Sequence, residues 1–272
     1  MITTNANRAP IGIFDSGLGG LSVVNALKTV LPHEDIVYFG DTGRVPYGTR
    51  SSETIEQYTR QDIGFLQKHQ VKLIIAACGT VSSVAPHVGM ACGTPFLGVV
   101  VPAALEAAAA TKNKKVGVIG TAATVKSGSF SAEIAKVDPE IQVFARPCQM
   151  FVQLVEEGMI DPEDPIPQLI CERYLAPLRE ENVDTLILGC THFPLLAPVI
   201  RKVMGPDVTL IDTGAAAAAF AARLLNEQDL LSKKTETGEC HYFVSDRADT
   251  FSEVASRFLG QPICDVTQVG WE

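Results

Sequence analysis

Val71-Lys-Leu-Ile-Ile-Ala-Ala-Cys78-Gly-Thr80, running on to Ala85-Pro86, decides how this chain is read, because the pattern occurs twice. The second copy is Val183-Asp-Thr-Leu-Ile-Leu-Gly-Cys190-Thr-His192, running on to Ala197-Pro198. The copies lie 112 residues apart at every landmark: 71 to 183, 78 to 190, 86 to 198. Each is an apolar strand, a thiol where the strand stops, and a small or polar residue opening a predicted helix. Another apolar strand begins 18 residues after each thiol, at Phe96 and at Val208. An earlier strand repeats as well, since Ile11-Gly-Ile-Phe-Asp15-Ser16 resembles Val116-Gly-Val-Ile-Gly120-Thr121 at an offset of 105.

Outward from these copies, short apolar strands alternate with helical patterns. Strands are predicted at 11–14, 35–39, 73–76, 96–100, 116–119, 141–144, 185–188, 208–211 and 241–245. Helices are predicted at 22–30, 53–69, 167–180 and 250–258. Continuous Val/Ile/Leu runs without polar alternation mark strands covered on both faces, as in parallel α/β sheets. The expected fold is therefore two α/β domains related by a pseudo-twofold axis, with mainly parallel sheets and the active site in the cleft between them. Residues 1–101 plus 214–272 form the first domain and 102–213 the second. Such sheets bind ligands outside the carboxyl ends of their strands, where Asp15, Cys78, Thr121 and Cys190 all fall.

The net charge of −9, without a Lys/Arg cluster, argues against a nucleic-acid partner. The N-terminus lacks an apolar signal core, and no stretch offers the ~20 apolar residues of a membrane span. Ala103 to Ala110 and Ala215 to Ala222 predict tightly packed helices. A cytoplasmic location is expected, with all seven cysteines reduced. No Cys-x-x-Cys pair or His/Asp/Glu cluster has metal-ligand spacing, so no metal is expected. Cys92, Cys148, Cys171, Cys240 and Cys264 read as packing residues.

A thiol at a strand end can serve as an acid/base once poised as thiolate. One such cysteine is usually an apolar filler, but two in matched register point to chemistry. A duplicated fold would present them to each other, and inverting a stereocentre is among the few reactions needing like groups on opposite faces of one atom. His192 could orient Cys190 or carry its proton, and Asp15 ends the strand expected beside Cys78. Asp15-Ser16-Gly-Leu-Gly-Gly20 fits neither the dinucleotide fingerprint nor the Lys-bearing phosphate loop. It reads as a tight turn that lets backbone amides approach a small ligand.

At these residues the chain resembles the glutamate racemases of the cofactor-independent aspartate/glutamate racemase superfamily. The stretches that carry the resemblance are Phe14-Asp-Ser-Gly-Leu-Gly-Gly20, Gly40-Asp-Thr-x-Arg-x-Pro-Tyr47-Gly48, Cys78-x-Thr80 and Leu188-Gly-Cys190-Thr191-His192-Phe-Pro-Leu. It implies that Cys78 and Cys190 exchange the α-proton on opposite faces without pyridoxal phosphate or another cofactor. Asp15 would assist Cys78, His192 would assist Cys190, and Glu156 would be the acidic partner of the histidine. Asp15, Ser16, Tyr47, Gly48, Gly79, Thr80, Thr121, Thr191 and His192 would hold glutamate. Its D-isomer would supply peptidoglycan synthesis. Family members form dimers of differing geometry, so a homodimer is the assembly expectation.

Two departures bear on the substrate. The family usually reads Cys-Asn-Thr at the first thiol, where this chain has Cys78-Gly79-Thr80. Glycine lacks the donors and acceptor of an Asn side chain, and one lost hydrogen bond to a charged ligand typically costs ~1.5–3 kcal/mol. The stretch Arg146 to Leu154 also differs from the usual pattern. A racemase for another acidic amino acid such as aspartate, or a non-catalytic amino-acid-binding relative, therefore stands beside the first reading. A single-thiol decarboxylase or hydrolase is disfavoured by the second cysteine.

Overall fold

The computed structural model describes residues 6–263 and 265–270, which leaves Cys264 and the first five residues outside the described part. Ten strands follow in chain order: β1 (Ile11–Asp15), β2 (Ile36–Gly40), β3 (Leu73–Ala76), β4 (Phe96–Gly98), β5 (Lys115–Gly120), β6 (Gln142–Pro147), β7 (Thr185–Leu188), β8 (Thr209–Asp212), β9 (Cys240–Val244) and β10 (Val266–Gln268). The helices are α1 (Leu21–Val30), α2 (Ser52–Lys68), α3 (Gly79–Val84), α4 (Pro86–Met90), α5 (Val100–Ala110) and α6 (Ala122–Ser127). They continue with α7 (Ser129–Val137), α8 (Met150–Glu156), α9 (Pro165–Glu180), α10 (Ala197–Met204), α11 (Thr213–Glu227) and α12 (Ala248–Leu259).

Two sheets result, and every strand pair in them is parallel. The first has the order β10-β9-β2-β1-β3-β4 and the second β6-β5-β7-β8. The order β2-β1-β3-β4 is thus repeated as β6-β5-β7-β8, which is the duplication seen in sequence. Central strands β1, β3 and β7 are buried along their whole length, as their unbroken apolar runs require. Parallel register brings Asp15 level with Gly40, and Phe14 level with Ala76, so Asp15 and Cys78 leave the first sheet at the same edge. Ile119 pairs with Leu188 in the second sheet, which brings Thr121 and Cys190 out together.

The chain crosses between the sheets through α5 and α11, which pack on each other. These are the alanine-rich helices, and Ala103, Ala104, Ala107, Ala217, Ala218 and Ala221 are buried, so small side chains permit the close approach. The remaining described cysteines divide: Cys148 and Cys171 are buried, Cys92 and Cys240 only partly so.

Two local differences from the sequence reading have physical causes. The strand predicted over 96–100 ends at Gly98, because the Val99 amide donates to Ser82 Oγ and α5 begins with Pro102 in its first turn. The two thiols also do not lead into like structures. Ser82 N–H donates to the Cys78 carbonyl at 3.0 Å and closes the first turn of α3. The matching position is Pro194, which has no N–H to give. Phe193 N–H donates to the Cys190 carbonyl instead, and a 3-10 turn, Phe193–Leu196, precedes α10.

Candidate active site

The carboxyl edges of the two sheets face each other across a small cavity of about 80 Å3. Cys78 and Cys190 both line it, with Ser16, Tyr47, Gly48, Gly79, Thr80, Thr121, Glu156, Thr191 and His192. Each sequence-predicted residue is in the lining except Asp15, which is fully buried behind it. Gly17, Val152 and Gly189 join the lining without having been singled out. Gly189 was legible in principle, since it immediately precedes a strand-end thiol. Val152 lies on α8, a helix that no periodicity announced.

The surroundings of the two thiols differ. Cys78 Sγ lies 3.6 Å from the Ser16 hydroxyl. Burial pushes its thiol up to about 12, Asp15 adds to the rise, and the Val81 amide and Ser16 hydroxyl oppose it. Cys78 is therefore a neutral thiol at ordinary pH. Cys190 Sγ sits 3.9 Å from His192 Nδ1, and His192 Nε2 is 3.1 Å from Glu156 Oε1. Burial alone would push His192 down, but Cys190, Glu156 and Asp15 outweigh it and carry the imidazole up to about 10. One side of the cavity thus holds a protonated thiol and the other an imidazolium beside the Cys190 sulfur.

Asp15 stands behind both. Its Oδ2 accepts from the Gly17 amide at 3.0 Å, while its buried Oδ1 has no hydrogen-bond partner among the described residues. Burial raises its pKa, and the charge of His192 and the amides of Gly17, Gly20 and Ser16 lower it. It acts on Cys78 through space, because that thiol's hydrogen bond goes to the Ser16 hydroxyl.

Tyr47 lines the cavity with its phenol turned away. The hydroxyl donates to Asp41 and lies 3.1 Å from Asp62 Oδ2, in a buried cluster that Arg44 neutralises. What Tyr47 offers a ligand is backbone and ring, not its hydroxyl. Across the cavity, Thr80 Oγ1 of the first half meets Thr121 Oγ1 of the second at 3.0 Å. Helix α12 closes the side near His192: the Phe258 ring stands edge-on to the imidazole at 5.6 Å, and Arg257 donates to the Glu156 carbonyl.

The raised His192 pKa is also a statement about stability. Its folded value, about 10, exceeds the ordinary 6.5, so the stabilisation from its charge partners is complete below pH 6.5 and is lost as pH rises through about 10. Glu156 has 47% of its side chain exposed, which limits its share to roughly 0.5–1 kcal/mol. Thermal melts of Glu156→Gln and the unsubstituted protein are expected to differ most near neutral pH and to converge above pH 10. A constant difference across that range would remove the ion pair as its cause.

Among the described residues no helix is long and apolar enough to cross a membrane, and no group of His, Cys, Asp and Glu is arranged to hold a metal. The Asp/Glu/Hydantoin racemase family profile matches residues 21–221. A curated glutamate racemase of Chlorobaculum tepidum is 46% identical over 264 residues, covering 96% of each chain. The solved glutamate racemase of Francisella tularensis, in complex with D-glutamate, superposes with a TM-score of 0.89 at 36% identity, covering 97% of this chain and 98% of that one. A glutamate racemase of Bacillus anthracis gives 0.92 at 33% identity, with the same coverage.

Proposed function

The chain belongs to the Asp/Glu/Hydantoin racemase family, and on that premise we propose that it interconverts L- and D-glutamate through two cysteines acting on opposite faces of the α-carbon. The observation that carries this reading is the pair of thiols, Cys78 and Cys190, brought from matched strand ends to one small cavity. The bodies 1–101 plus 214–272 and 102–213 close over the substrate. The chemistry needs no cofactor, because the two thiols supply both proton sites.

In one direction the base on the Cys190 side takes the α-proton, and Cys78 delivers its own proton to the opposite face. The substrate keeps its atoms, one C–H bond breaks and another forms, and the thiols exchange protonation states. His192, bridged to Glu156, resets the Cys190 side and holds positive charge near the developing carbanion. An α-proton is a weak acid, so most of the barrier is lowered by preorganised polar groups in a cleft that excludes water. Ser16, Thr80, Thr121 and Thr191 offer hydroxyls for the carboxylates and ammonium, with the backbone at Tyr47 and Gly48. The D-glutamate formed would enter peptidoglycan synthesis in the cytoplasm, and a homodimer is proposed on the family resemblance.

Circular dichroism with each glutamate enantiomer in deuterated water tests the reaction. Loss of optical signal is expected together with deuterium at the α-carbon. Exchange without inversion would leave a single competent thiol. Binding with neither signal, and with aspartate equally inert, would favour the non-catalytic relative. Turnover of aspartate over glutamate would reassign the substrate.

A further inference from the structure

The loop between β2 and α2 carries Tyr47 and Gly48 to the cavity, and its anchor lies behind the cavity wall. Asp41, Tyr47 and Asp62 are all buried there. Arg44 reaches both acids, through Nε to Asp41 Oδ2 and through a terminal nitrogen to Asp62 Oδ1 at 3.1 Å. A single guanidinium thus faces two buried carboxyl groups. Were both ionised, one negative charge would be left without a partner away from water, which is costly.

The donors around the two acids decide which one keeps a proton. Asp41 Oδ2 accepts from Arg44 Nε and from the Tyr47 hydroxyl, and Asp41 Oδ1 accepts from Ser245 Oγ at 2.7 Å. The Ser245 oxygen in turn accepts from the Gly43 amide at 2.9 Å, which leaves its own proton for Asp41. Three donors on two oxygens describe an ionised carboxylate, which only accepts. Asp62 differs. Its Oδ1 accepts from Arg44, but its Oδ2 lies 3.1 Å from the Tyr47 oxygen. A phenol has one proton, and Tyr47 has given it to Asp41. The second contact between oxygens is a full hydrogen bond when Asp62 supplies the proton.

We propose that Asp62 is a positioning residue that keeps its own proton and donates it to the Tyr47 phenol, fixing the loop whose backbone receives glutamate. The inference rests on the racemase reading and deepens it. Burial raises the Asp62 pKa well above the usual carboxylate range, the Asp41 charge adds to the rise, and the positive Arg44 opposes it, with Asp15 on β1 adding a further negative charge. Around this pair, Gln61 of α2 accepts from Arg44, and the Tyr58 ring lies under the guanidinium at 4.1 Å. His87 of α4 turns to Glu56, so Arg44 is the cation paired with Asp62 among the described residues. An acid, a phenol and a carboxylate in sequence tie α2 to the loop, and Tyr47 is left with its backbone and ring toward the cavity.

Carbon-13 NMR of the unsubstituted chain, labelled at the aspartate side-chain carboxyl, tests the proton directly. One resonance, absent from Asp62→Asn, should stay at the protonated position through neutral pH. Kinetics test the positioning. An amide at position 62 offers Arg44 the same acceptor and Tyr47 a donor, so Asp62→Asn should keep a kcat/KM close to the unsubstituted value. Asp62→Ala loses both contacts and should raise KM roughly tenfold with kcat little changed, because the loop binds substrate and transition state alike. An Asp62 resonance already at the ionised position at neutral pH would overturn the proposal. So would an Asp62→Asn enzyme as weak as Asp62→Ala, or an Asp62→Ala enzyme with an unchanged KM. The resonance is read on the unsubstituted chain, so it decides the proton even where Asp62→Ala fails to fold. If the unsubstituted protein does not racemise glutamate, the proposed function falls, and the same resonance still decides whether Asp62 holds its proton.

Discussion

Cys78→Ala is expected to abolish measurable racemisation of glutamate from either enantiomer, a loss of roughly a thousandfold to ten-thousandfold, while glutamate still binds. The two directions must fail together. A racemisation has an equilibrium constant of one, so kcat/KM for the two enantiomers is equal in any variant. With Cys78 gone, one enantiomer lacks its base and the other lacks its proton donor. Cys190→Ala should behave alike. Substitution at a buried position carries its own cost, so binding by titration calorimetry has to accompany the rate. A Cys78→Ala protein that binds glutamate and racemises it at the unsubstituted rate would end the two-thiol reading.

His192→Ala ranks second, with an expected loss of about a hundredfold to a thousandfold. His192 supports the Cys190 side alone, being 3.9 Å from that sulfur and bridged to Glu156. The damage should therefore be one-sided in a way that kcat/KM cannot show. The α-deuterium isotope effect on kcat is expected to grow for the enantiomer deprotonated on the Cys190 side and to change little for the other. The unsubstituted enzyme should lose activity in alkali as His192 deprotonates near its raised pKa of about 10, and the variant should lack that limb. Equal isotope effects in both directions would place His192 outside proton transfer.

Much of this arrangement was legible in the chain because the duplication spells it out. The matched offsets of Cys78 and Cys190 predict two similar sheets, and the strand order β2-β1-β3-β4 returns as β6-β5-β7-β8. The loops and side-chain orientations beyond each strand end are less legible. Nothing local says that Tyr47 turns its hydroxyl inward to Asp41 and Asp62, or that Asp15 lies behind the cavity wall. Those orientations are set by contacts between elements far apart in sequence. Glu156 could be named only through the resemblance, because α8 is short and carries no periodic signature of its own. Strand β10 escaped for a related reason: three residues, mostly exposed, offer no apolar run to read.

The grip of α12 on the cleft has a consequence for the order of synthesis. All of the second sheet lies within residues 115–212, whereas the first sheet begins at Ile11 and gains β9 and β10 only from residue 240 onward. A ribosome delivers an N-terminal portion first, and domains generally fold as units while it does so. The contiguous sheet can therefore be complete while the discontinuous one still waits for its last strands. Arg257 and Phe258, which brace Glu156 and His192, are made only after the whole second sheet and both thiols. The nascent protein thus carries both thiols long before it owns a braced histidine.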